Sequence, residues 1–173
     1  MDLAELQDIV DAIVENRRLN GLRPHELLAS IHRKTLPASA LPIIEPLLRI
    51  KDGATYKYAI DMVGKMKGAS SNASEAIGAA WERSWEHGVP QACNQAFRAL
   101  LRIGNNEERL LAMVAKAMEI DNYGIHKECA DTLMKLCGGK DILDKWSETI
   151  PGKCDCDLHT KLAAKIAEHL ATA

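Results

Sequence analysis

A ten- to eleven-residue pattern occurs three times in this chain, as Tyr58–Gly68 (YAIDMVGKMKG), Gln95–Gly104 (QAFRALLRIG) and Glu128–Gly138 (ECADTLMKLCG). With Ala59, Ala96 and Ala130 in register, the positions three, four and seven further on read Met62/Val63/Met66, Ala99/Leu100/Ile103 and Leu133/Met134/Cys137. Those offsets place the apolar residues on one face of a helix. The three alanines stand 37 and 34 residues apart, which fits one helix-turn-helix unit per repeat. Self-similarity at such a period is the signature of a solenoid.

The composition suits helix packing. Apolar residues make up 47% of the 173, yet there is one Phe, three Tyr and three Trp, so the core must be built from Ala, Leu, Ile, Val and Met. A chain of this length is expected to bury roughly two-thirds of its unfolded surface as one domain.

Elsewhere the periodicity predicts a first helix over Leu3–Leu19, stopped at Asn20-Gly21, and a second from Pro24 to about Lys34. Pro42 opens a third, bent at Pro46 and ended by Lys51-Asp52-Gly53. Gly68–Ser71 reads as a turn, followed by a helix from Asn72 to His87, and Pro90 opens the next. Further helices are expected over Glu107–Ile120 and from Asp141 to about Thr149, then a loop over Pro151–Asp157 and a last helix over Leu158–Leu170. No strand is predicted.

The stretch LPIIEPLLRIKDGATYKYAIDMVGKM resembles a HEAT repeat: an apolar helix interrupted by proline, a turn opening with Asp, then basic-x-Ala-x-x-apolar-apolar-Gly. In that resemblance Asp52 matches the turn aspartate, Tyr56 or Lys57 the arginine, and Ala59, Val63 and Gly64 the Ala and Leu-Gly positions. The glycine is replaced by Leu101 and Lys135 in the later copies. The resemblance covers about residues 41–138. It implies an all-α, short right-handed HEAT-like solenoid of about five antiparallel helix pairs, a single domain over 1–173. Residues 1–40 and 139–173 would then be capping helices. It also implies that the second helix of each pair lines the concave, partner-binding side.

Counting from the repeat alanines, that side carries Lys57, Asn94 and Glu128 in one row. Asp61, Arg98 and Thr132 form the next, and Lys65, Arg102 and Leu136 the third. Arginine forks and lysine stems on neighbouring helices suit the carboxylates of another protein. Tyr56 and Tyr58 at the mouth of a repeat helix, and Trp85 at the edge of the stripe Ile77/Ala80/Trp81/Ser84, add candidate aromatic anchors, though core packing is the favoured reading of all three. The expected partner-binding set is Tyr56, Lys57, Asp61, Lys65, Trp85, Asn94, Arg98 and Arg102.

Nucleic acid is disfavoured as a partner. The net charge is −2, and residues 51–104 hold seven basic against five acidic residues, a weak excess for a groove that grips phosphates. The alternative stays open because HEAT-like proteins include DNA glycosylases, for which Lys57, Lys65, Arg98 and Arg102 would be the phosphate contacts. No nucleophile turn, H-E-x-x-H pair or phosphate loop occurs, so no catalytic residue and no cofactor is expected. Cys154, Cys156 and His159 form a C-x-C-x-x-H with no second ligand pair at metal spacing, and no metal dependence is expected. Cys93, Cys129 and Cys137 read as reduced core thiols. With no basic-apolar leader and no apolar run near the ~18 residues of a membrane span, the expectation is a cytoplasmic, non-enzymatic, one-to-one binder of another protein, such as an inhibitor or toxin-neutralising immunity protein.

Overall fold

The computed structural model describes residues 1–86, 93–154 and 156–173, and every regular element among them is helical. The α-helices are α1 (Leu3–Val14), α2 (Pro24–His32), α3 (Leu41–Ile44), α4 (Gly53–Gly64), α5 (Ser71–Glu86), α6 (Cys93–Ile103), α7 (Glu107–Ala117), α8 (Tyr123–Leu133), α9 (Lys140–Thr149) and α10 (Asp157–Thr172). Single 3-10 turns lie at Ala38–Ala40, Glu45–Arg49, Cys137–Gly139 and Ile150–Gly152. No strand occurs among the described residues, where the two backbone bridges are isolated pairs. No helix among them is long and apolar enough to cross a membrane.

Local side-chain chemistry sets the helix ends. The Asp2 carboxylate accepts from the Glu5 amide at 2.7 Å and starts α1. The helix stops at Val14, five residues short of the sequence expectation, because Asn16 adopts φ 52. The Arg17 and Asn16 amides then donate back to the Ala12 and Ile13 carbonyls, the bonding of a left-handed helix terminus that asparagine tolerates. Asp52 caps α4 by accepting from both the Thr55 amide and the Thr55 hydroxyl, at 2.8 and 2.7 Å. That cap starts α4 five residues before the repeat pattern and leaves Lys65–Gly68 outside it. Asn122 does the same for α8, accepting from the Ile125 amide at 3.1 Å. At the expected proline bend, α3 is a single turn that passes into the 3-10 turn containing Pro46, whose ring withholds a backbone donor. The predicted helix opening at Pro90 lies outside the described residues.

The chain divides into two compact units, Met1–Asn105 and Asn106–Ala173. In the first, α4 packs along α6 and against α2 and α5. Its core is filled by Leu6 and Val10 of α1, Ile31 of α2, Leu47 and Leu48, Ile60 and Val63 of α4, Ile77 of α5 and Phe97 and Leu100 of α6. In the second, α9 packs on α10 and α7 on α8, around Leu110, Val114, Leu133, Leu143, Trp146 and Ile166. The repeat alanines Ala59, Ala96 and Ala130 are each 0% exposed, as the register required.

One expectation is corrected here. Cys137 is exposed in the turn after α8, because that helix ends at Leu133 and the seventh position of the third copy is not helical. His159, expected in the last helix, lies in its first turn, because α10 starts at Asp157, and it is buried among aromatic rings.

Candidate functional site

Asp61, two residues after the repeat alanine of α4, gathers hydrogen-bond donors from three helices. Its carboxylate accepts from His32 Nε2 at the end of α2 at 2.7 Å and from Arg102 Nη1 of α6 at 2.7 Å. One turn on in its own helix, Lys65 Nζ is paired with it. Burial alone would raise the Asp61 pKa, but the hydrogen bonds from Lys65, Arg102 and His32 outweigh burial and hold it at about 2. It is therefore an anion throughout the physiological range.

Beside this cluster, between α4 and α6, opens a cavity of about 480 Å3. Lys57, Tyr58, Asp61, Asn94, Arg98 and Arg102 line it, as does His32. Tyr58 is 42% exposed, and its ring is tilted against that of His32, centroids 4.5 Å apart. Five of the eight residues expected to contact a partner, Lys57, Asp61, Asn94, Arg98 and Arg102, thus share one hollow. Lys65 stands exposed beside it, joined through Asp61.

Tyr56 is a correction. It is 5% exposed and donates its hydroxyl to the Ala80 carbonyl, so it packs α4 on α5 while its neighbour two positions on faces outward. Trp85 is half-buried, edge-on to Trp81 at 5.2 Å, and does not line the hollow. The row drawn through Thr132 also fails in the third copy, where Thr132 is buried and donates to the Glu128 carbonyl at 2.7 Å. His32 was missed because it lies 29 positions from Asp61 and outside the repeat.

A second cluster sits in residues 106–173. Cys154 and Cys156 are paired as a disulfide, and His159 Nδ1 lies 2.6 Å from Cys154 Sγ and 3.0 Å from Cys156 Sγ. The other nitrogen of that ring, Nε2, lies 2.8 Å from His126 Nδ1 of α8. His126 Nε2 makes no hydrogen bond of ordinary length, while burial lowers the pKa of its ring against a smaller opposing effect of the Ile120 and Met118 carbonyls. Tyr123 and Trp146 meet the two imidazoles edge-on at 5.8 and 5.3 Å. The sequence does signal His126: with Cys129, Ala130 and Leu133 it falls at offsets of three, four and seven, the buried stripe of α8.

Compared with protein-family models, curated proteins and solved structures, the chain matches none of them.

Proposed function

We propose that residues 1–105 form a non-enzymatic protein-binding module whose α4–α6 face receives an acidic surface of another protein, one partner to one chain. The cleft carries this reading. Lys57, Arg98 and Arg102 converge on it from two helices, against one acidic side chain, Asp61, among the described lining residues. Asp61, ionised down to about pH 2 and tied to three donors, suits the anchoring of cations and not proton transfer near neutrality. Guanidinium forks on rigid helices take carboxylates two bonds at a time, and Tyr58 adds an aromatic surface with a polar tip.

In this reading α3 with its 3-10 extension pairs with α4, and α5 pairs with α6, as two HEAT-like units. Their second helices then lie side by side, which fits the packing of α4 along α6. A dedicated inhibitor or immunity protein is the specific form proposed, since such proteins cover a target's site with complementary charge.

The test is a titration of isotopically labelled protein with a glutamate-rich peptide, a lysine-rich peptide and duplex DNA, followed by amide chemical shifts. Shifts confined to α4 and α6, with the acidic peptide alone, are expected. Shifts with DNA alone would turn the same basic rows into a nucleic-acid site, and none with the acidic peptide would remove the cleft from consideration.

A further inference from the structure

We propose that Cys154 Sγ, Cys156 Sγ and His159 Nδ1 are the protein ligands of a zinc ion, with His126 fixing the ligating imidazole and water completing the tetrahedron. The three donor atoms lie within 4.8 Å of one another. Two thiolates and one imidazole are a donor set for a borderline-soft ion that prefers four-coordination. Around tetrahedral zinc, sulfur and nitrogen ligands stand about 3.5 Å apart, from bond lengths of roughly 2.3 and 2.05 Å. To accept it, the 2.6 and 3.0 Å sulfur–nitrogen separations open by less than about 1 Å, and the two sulfurs, once their bond is reduced, part to about 3.8 Å.

The histidine pair sets the direction of the site. His159 is 2% exposed, and its two nitrogens have different partners: Nδ1 faces both sulfurs and Nε2 faces His126. A metal on Nδ1 leaves the proton on Nε2, where it is donated to His126 Nδ1. A ligating histidine commonly holds its other nitrogen in this way, and the partner fixes both tautomer and ring orientation. The disulfide between Cys154 and Cys156, whose Cα atoms are 5.4 Å apart, is the oxidised form of this site, and reduction by a dithiol, which takes up the two-electron change and leaves two thiolates, frees both sulfurs for the metal. A disulfide sulfur offers the buried imidazole only a weak acceptor, whereas in the reduced site Nδ1 and both thiolates can share one ion. The placement of the donors also has a local cause. Ile150–Gly152 turns the chain back, and α10 begins at Asp157, so its first turn carries His159 over the two cysteines.

The experiment uses the full chain, reduced and then exposed to cobalt(II) or zinc(II) and desalted. One bound metal per chain is expected, with cobalt giving thiolate charge-transfer absorption and the visible bands of a four-coordinate ion. Cys156→Ser, a near-isosteric change at a half-buried position, should abolish uptake while leaving the helical circular dichroism intact, and Cys137→Ser should retain it. His126→Phe should weaken zinc by about 10–100-fold, and His126→Asn, whose amide oxygen can still accept from His159, by less. The proposal is overturned if the reduced wild-type chain takes up no metal. Uptake undiminished in Cys156→Ser overturns it too, as does a cobalt spectrum without thiolate bands.

Discussion

Gly64 of α4 lies directly on Ala99 of α6: a Cβ added at residue 64 would stand 2.6 Å from the Ala99 Cα, with no flexible side chain between to yield. A side chain at residue 64 would therefore push the two backbones apart. Its absence brings the two helices near enough for Asp61, three residues before Gly64, to bond Arg102, three residues after Ala99, at 2.7 Å. The crossing and the cleft are thus one arrangement. Gly64→Ala is expected to lower stability by about 1–3 kcal/mol through overpacking, read as a fall in melting temperature. An unchanged melting temperature would mean that α4 and α6 can separate without cost.

Ala96 is fully buried next to Phe97, also 0% exposed. Ala96→Asp places an unpaired carboxylate there and should cost several kcal/mol. Denaturant unfolding checks it, and a loss within about 0.5 kcal/mol would contradict the burial of the repeat face.

The Asp61 cluster makes stability depend on acid in one direction. Its folded pKa of about 2 lies below the ordinary value of 3.8, so its contribution is complete above about pH 4 and disappears as the pH falls towards 2. The full shift corresponds to about 2.5 kcal/mol, but Lys65 and Arg102 are each about 40% exposed and screened, which leaves about 1 kcal/mol. Asp61→Asn should therefore be about 1 kcal/mol less stable than wild type at pH 6 and nearly equal to it at pH 2, by urea unfolding at both values.

Asn16 closes α1 at φ 52. Asn16→Val should destabilise by about 1 kcal/mol or more, because a β-branched residue resists the left-handed conformation, while Asn16→Gly should be neutral or better. Equal melting temperatures for Val and Gly at this position would contradict the cap.

The helical class and the buried face were legible because Ala59, Ala96 and Ala130 each head an apolar stripe with the period of a helix. That period, carried two and six residues on, also places Asp61, Arg98 and Arg102 on one side. Helix ends were less legible: Asn16 and Asn20 both take φ 52, and only the Ala12 and Ile13 carbonyls decide that the helix stops at the first. The burial of Tyr56 was legible as well, since it stands three, four and seven residues before the buried Ala59, Ile60 and Val63, whereas Tyr58 falls off that stripe; a period run only forward from the alanine does not reach it. Contacts such as His32 with Asp61 and His126 with His159 join residues 29 and 33 positions apart, which no local period encodes.

The most direct test of the α4–α6 face is calorimetric titration of a glutamate-rich peptide into wild type and Arg98→Glu. Arg98 is the better choice than Arg102, whose reversal would set a second carboxylate against Asp61 and disturb the fold. With circular dichroism unchanged, Arg98→Glu is predicted to weaken binding about tenfold or more, roughly 1.4 kcal/mol, and the wild-type affinity should itself fall as salt is raised. Equal dissociation constants for the two proteins, or a wild-type affinity indifferent to salt, would contradict the account.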